Sequence, residues 1–244
     1  DANYNNVGIR NVIAHVTDND VVGVTIAETD GASAVDEQGP TGDNYTIVLN
    51  TCPTADVTVT ITADAQVSLS AATLTFTPDN WDQPQMVTVT AVDDAVAEGT
   101  HTTIIHHAVT STDVNYSGVA ARDLAVQITD NDMIGVVILE TGGGTAVNEA
   151  GPTSDNYTVA LSSPPTGDVI VTVISDAQVA ASPSTLTFTP ANWNVAQVVT
   201  VTAVDDFLAE GPHASVIRHS AASTDVAYSG IDVAAVTVHI TDND

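Results

Sequence analysis

Eight acidic side chains in this chain recur at one fixed distance. Glu37, Asp43, Asp64, Asp93, Asp94, Glu98, Asp130 and Asp132 stand 112 residues before Glu149, Asp155, Asp176, Asp205, Asp206, Glu210, Asp242 and Asp244. Some other acids do not repeat: Asp36 becomes Asn148, Asp79 becomes Ala191 and Asp123 becomes Ala235. Asp18 and Asp20 give the terminal pair a third time. Two carboxylates about 4 Å apart repel by roughly 4 kcal/mol at an effective dielectric near 20, so several brought to one place need a counterion. The chain offers no lysine and only Arg10, Arg122 and Arg218 as strong bases. Hard divalent cations take six to eight oxygens from carboxylates, carbonyls and water, and flexible loops suit Ca²⁺ better than the stricter octahedron of Mg²⁺. Calcium is therefore the expected partner of all these acids except Asp43 and Asp155. The competing reading is a solvated acidic surface adapted to high salt, for which repetition at fixed positions has no use. The spacing after Asp130 is not that of an EF-hand, because Ile134 falls where that loop needs a side-chain oxygen and Thr141 where it needs a bidentate glutamate.

The elements that must position these acids follow from the repeat. Thr129-Asp130-Asn131-Asp132 occurs again at 17–20 and at 241–244, and residues 21–132 lie over 133–244 without a gap at about 60% identity. A 112-residue period is a domain, longer than a solenoid repeat. Residues 1–20 match only the end of a unit, and are expected to be the closing strand of a preceding repeat whose other strands lie upstream in a longer array, the alternative being a strand added to a neighbouring copy. Within a unit, stretches such as Val57-Thr58-Val59-Thr60-Ile61-Thr62 and Val87-Thr88-Val89-Thr90 alternate apolar and hydroxyl residues, the mark of half-buried strands. Turn clusters such as Gly39-Pro40-Thr41-Gly42 separate them. The fold class expected is all-β, without significant helix: tandem Greek-key, immunoglobulin-like β-sandwiches. Strands are predicted near 21–28 with a continuation at 33–36, then 44–50, 56–63, 66–76 (broken), 84–92, 100–109 and 119–129, and 112 residues later in the second unit. If successive strands alternate in direction, the first, third, fifth and seventh end at one pole. That pole receives the repeated acids.

Composition excludes several partners. The 31 acidic against three basic residues give a net charge of −28, which repels nucleic acid and anionic membrane surfaces. The single cysteine, Cys52, aligns with Pro164 and belongs to no disulfide framework or thiolate metal site. No apolar run reaches the length of a membrane span, and the absence of an initiator methionine or leader pattern reads as a mature product or an internal segment.

Several of these motifs together resemble a Calx-beta domain: Ala34-Val35-Asp36-Glu37, Val87 to Asp94 followed by Glu98-Gly99, and the closing Ile128-Thr129-Asp130-Asn131-Asp132. Leu74 to Trp81 and Ser111 to Tyr116 are similar to the version found in tandem arrays on large bacterial surface proteins. The resemblance implies calcium ligation by Glu37, Asp93, Asp94, Glu98, Asp130 and Asp132. The chain departs from the family pattern at the neutral Asn131 and at His101, where some members carry a second glutamate, and these departures imply one or two ions per pole. It further implies an extracellular or cell-surface structural and adhesive protein, a rod or filament whose β-sandwiches are stiffened by calcium at their junctions. Its partners would be neighbouring repeats, further copies of the chain, or surface and matrix glycans.

Other residue types point elsewhere less strongly. Trp81 and Trp193 could stack on a sugar, which would make a carbohydrate-binding module, but a tryptophan at a strand corner more often plugs a sandwich edge. His101, His107, His213 and His219 coincide between units, yet no second nitrogen or sulfur ligand recurs at zinc spacing. No framed nucleophile accompanies the serines and histidines, so no enzyme activity is expected.

Overall fold

The computed structural model describes residues 3, 8, 10–17, 19–151 and 153–244. The first unit contains nine strands: β1 (Val24–Glu28), β2 (Ser33–Asp36), β3 (Gly42–Leu49), β4 (Val57–Thr62), β5 (Val67–Leu69), β6 (Thr73–Phe76), β7 (Gln85–Ala91), β8 (His101–Ser111) and β9 (Leu124–Thr129). The second repeats them as β10 (Val136–Glu140), β11 (Thr145–Asn148), β12 (Ser154–Leu161), β13 (Val169–Ile174), β14 (Val179–Ser182), β15 (Thr185–Phe188), β16 (Gln197–Ala203), β17 (His213–Ser223) and β18 (Val236–Thr241). Among the described residues there is no α-helix. The protein is an all-β chain of two sandwiches.

In each, a four-stranded sheet ordered β1-β3-β7-β5 faces a five-stranded sheet ordered β2-β9-β8-β4-β6, and the second unit copies both orders. Period-two sequence produces the faces directly. In β9, Leu124, Val126 and Ile128 are fully buried, while Ala125, Gln127 and Thr129 are exposed. The inward sets from both sheets meet in one core per unit, around Tyr45, Ile47, Phe76, Val87 and Ile105 in the first and Tyr157, Phe188, Val199, Ile217 and Val238 in the second. Trp81 and Trp193 pack against these cores at their margins.

Pairing settles strand direction. β1, β7 and β4 run alongside partners that oppose them, and β2 pairs with β9 in parallel. Hence β1–β2, β4, β7 and β9 all end at one pole, as the alternation rule predicts.

The two strands expected as interrupted, 21–36 and 66–76, are each divided between the two sheets. The chain leaves β1 after Glu28 and resumes as β2 in the opposite sheet, turning at Gly31 with φ +87°. The stretch 66–76 splits into β5, which pairs with β7, and β6, which pairs with β4. Ser70 N–H still donates to Thr88 and the Ala72 carbonyl already accepts from Ile61, so the switch occurs without leaving these backbone groups unpaired.

The upstream segment, expected to close a preceding repeat, lies here without one. Residues 10–17 form no strand, and Val12, Ile13 and Val16 are exposed. A strand needs a neighbour's ladder, and both sandwiches here already contain their own closing strand.

Candidate metal centres

Each sandwich gathers its carboxylates where β2, β7 and β9 end, around one glutamate. Glu37 follows β2 directly, and its N–H donates to the Thr129 carbonyl at 3.0 Å, continuing the parallel ladder one residue past the strand. This ladder pulls the side chain inward. Glu37 is 1% exposed, and no protein donor reaches either carboxylate oxygen. Burial, and next the charges of Asp130 and Asp94, push its pKa up. Glu149 repeats the arrangement at 1% exposure with Oε1 unpartnered. There the upward shift comes from burial, then from Asp242 and Asp206.

Asp130 organises the opposite side. Its carboxylate accepts from the backbone N–H groups of Glu98 (2.6 Å), Gly99 and Asp132 (2.7 Å). Burial works against its charge, but those N–H groups prevail and hold its pKa below the usual range. Gly99 sits at φ +67°, the left-handed region where a side chain would be strained, and this turn aims its N–H at Asp130. Asp242 is held by Asp244, Gly211 and Glu210 in the same way, with Gly211 again at φ +67°. So Asp130 and Asp242 stay anionic beside a buried glutamate.

The remaining acids fall into three groups. Glu37, Asp130 and Asp132 bring carboxylate oxygens within 4.8 Å of one another. Burial, followed by the charges of Asp130, Asp93 and Asp94, raises the Asp132 pKa. Asp93 and Asp94 lie on the exposed rim of this group, where Asn131 donates to Asp93 at 3.3 Å and Asp94 accepts from Val96 N–H at 2.7 Å. In the second unit Asp206 faces Glu149 electrostatically, while Asp205 is exposed. Asp244 is also exposed, and donates its N–H to Asp242. A second group comprises Glu37, Glu98 and His101, repeated as Glu149, Glu210 and His213.

The third group stands apart from both. Asp64 and Asp176 cap their own turns by accepting from Gln66 and Gln178 N–H at 3.0 Å, and Asp176 also accepts from Ser215 Oγ. Among the described residues neither joins a cluster of ligand atoms with the other acids of the set read from sequence. Each closes on the backbone N–H two residues on, as Asp94 and Asp130 also do, but no group of the pole's other carboxylates gathers beside it among the described residues. Asp43 and Asp155 likewise turn to the backbone of Ala34 and Ala146. Asp20 is exposed, and Asp18 lies outside the described residues.

Sequence reasoning missed the two histidines. His101 and His213 were tested for nitrogen and sulfur partners, whereas their partners are carboxylates. The signal was present in the repeat itself: both stand three residues after a repeated glutamate, at the first position of the strand that follows.

No protein-family model matches the chain, and no curated protein sequence matches it. Among solved structures, CBD12 from CALX1.2 is similar at 14% identity and a TM-score of 0.37, covering 89% of this chain and 99% of that one. The calcium binding domain CBD12 of CALX1.1 gives 15%, 0.38, 89% and 99%. Domains 4–9 of surface layer protein SbsC give 16% and 0.27, with 92% of this chain but 32% of that one covered. At these scores the likenesses leave the reading of the site to its own residues.

Proposed function

We propose that this protein is a non-catalytic structural repeat of the extracellular or cell-surface kind, in which calcium at the acidic pole of each β-sandwich stiffens the chain into a rod. The observation that carries the reading is Glu37: a carboxylate 1% exposed, without a donor, within 4.8 Å of Asp130 and Asp132. Burying such a charge unpaired costs several kcal/mol, and oxygen-rich groups of this composition suit a hard divalent cation. Glu37, Asp130 and Asp132 would hold the ion, with Asp93 and Asp94 at its open side; Glu149, Asp206 and Asp242 are the counterparts. The ion, when bound, supplies positive charge that lets the strand ends converge. No helix of the described residues is long and apolar enough to cross a membrane.

The pole of the first unit also meets the second. Ala97 N–H, in the loop between Asp94 and Glu98, donates to Ser163 Oγ at 2.9 Å, and only Met133 to Gly135 separate Asp132 from β10. A loop ordered by the cluster is thereby tied to its neighbour, which favours control of the joint over a solvated surface. Calcium titration with thermal melts and small-angle scattering tests the reading. Calcium should raise the melting temperature and the maximum dimension, and chelator should reverse both. If chelator changes neither while sodium chloride stabilises equally well, the acids are an adaptation to salt.

A further inference from the structure

We propose that each sandwich carries a second cation site, distinct from the all-oxygen one, in which Glu37, Glu98 and His101 (Glu149, Glu210 and His213 in the second unit) take a borderline divalent metal of the zinc class.

The imidazole is built for ligation. His101 Nδ1 lies 2.9 Å from the Gly99 carbonyl, which can only accept, so Nδ1 carries a proton, and in the neutral ring Nε2 offers its lone pair. His213 is fixed by Gly211 at the same 2.9 Å. Both Nε2 atoms are shielded from solvent and have no hydrogen-bond partner. They point at carboxylates, with Nε2 3.6 Å from Oε2 of Glu98 and of Glu210 alike. In the neutral ring two acceptors face each other, and either a proton on Nε2 or a metal ion between them satisfies both. The separation is close to the edge of a tetrahedron with metal–ligand bonds of ~2.1 Å, which is ~3.4 Å.

Two further observations point the same way. Glu37 supplies the third ligand atom within 4.8 Å, and it is the buried side chain whose oxygens have no donor. Gln66 Nε2 donates to both oxygens of Glu98 at 2.9 Å, and Gln178 to both of Glu210 at 3.1 and 3.0 Å. This is the outer support that orients a ligating carboxylate. A nitrogen ligand in place of an oxygen shifts preference from calcium towards zinc, cobalt or nickel. The two sites share Glu37, whose two carboxylate oxygens bridge them when both ions are bound, while Glu98 and His101 belong to this site and Asp130 and Asp132 to the other.

The test is Zn²⁺ titration of the full chain by calorimetry in millimolar calcium, so that the oxygen sites compete only for the hard ion. Two zinc ions per chain are expected. H101Q should leave one, and H101Q with H213Q should leave none while the calcium stoichiometry stays as in the unmodified chain. In the unmodified chain Co²⁺ should displace the ring-proton resonances of two of the seven histidines, a readout that needs no variant to fold. The proposal is overturned if zinc does not bind in calcium, which would make the imidazole a proton carrier only. It is equally overturned if the double variant keeps both zinc ions, or if the cobalt-shifted histidines are others.

Discussion

The substitution Glu37→Gln should raise the stability of the calcium-free first unit and lower it in calcium, a crossing that separates a ligand from a packing residue. Glu37 faces Asp130 and Asp132 with oxygens within 4.8 Å. At an effective dielectric near 20 each such pair repels by ~3.5 kcal/mol, so the two pairs oppose folding by about 7 kcal/mol. Glutamine removes that repulsion, but its buried amide without a partner gives back about 1–3 kcal/mol. Proton uptake by the glutamate, whose pKa burial already raises, relieves part of the repulsion in the parent. A net gain of about 2 kcal/mol remains, near 8–10 °C for a unit of this size. At 1,000 times its dissociation constant, calcium adds about 4.1 kcal/mol to the parent, and a variant lacking the central ligand forfeits most of it. Calorimetric melts of the whole chain in chelator and in calcium measure both arms, with Glu149→Gln as the same change in the other unit. If Glu37→Gln lowers the melting temperature in chelator, the side chain contributes packing rather than charge. If the variant keeps the full calcium increment, Glu37 is not a ligand.

Three further outcomes follow from other parts of the structure. Tyr116 is 1% exposed, accepts from Thr51 N–H and donates to the Thr51 carbonyl at 2.7 Å, so Tyr116→Phe should cost about 2–3 kcal/mol by denaturant unfolding, equally with and without calcium. Asp64→Asn should leave calcium affinity within twofold, whereas Asp130→Asn, which cannot accept from three N–H groups and stay anionic, should weaken it at least tenfold by calorimetry. His107, buried between Tyr45 and the Arg122 carbonyl with Asp123, Arg122 and His106 nearby, is held below its ordinary pKa chiefly by burial. From about 6.5 downwards the unfolded chain takes up the proton first. Stability of the first unit therefore falls by up to ~1.4 kcal/mol per pH unit until the folded value is passed, a contribution that His107→Gln should remove while that of His219 in the second unit stays. An NMR titration in which His107 protonates above 6.5 would reverse that sign.

How much of this was legible in the sequence depended on whether a feature is periodic. Alternation in Val57–Thr62 or Leu124–Thr129 states which side chains face inward, because a strand has only two faces and water selects between them. The same reasoning fixed strand direction, and with it the pole where β2, β7 and β9 end. Sheet assignment was less accessible. Stretch 66–76 reads as one interrupted strand, and only the competition between the edges of β7 and β4 divides it into β5 and β6.

The site was legible to the level of the pole and no further, for a physical reason. Fixed spacing between repeats reports that a side chain is retained, whereas ligation depends on where its oxygens point after nearby N–H groups have claimed them. Asp64 and Glu37 are equal by repetition, but Asp64 is followed two residues later by the free N–H of Gln66, while the N–H groups around Glu37 are consumed by the β2–β9 ladder and the Asp130 turn. The aspartate is satisfied locally and the glutamate is not. A cap on the N–H two residues on does not by itself decide the role, since Asp94 and Asp130 accept from Val96 and Asp132 in the same way; Asp64 is set apart because it joins no cluster of carboxylates among the described residues. The acid that extends a parallel ladder inward is left to find a cation, and the histidine placed beside it determines which kind.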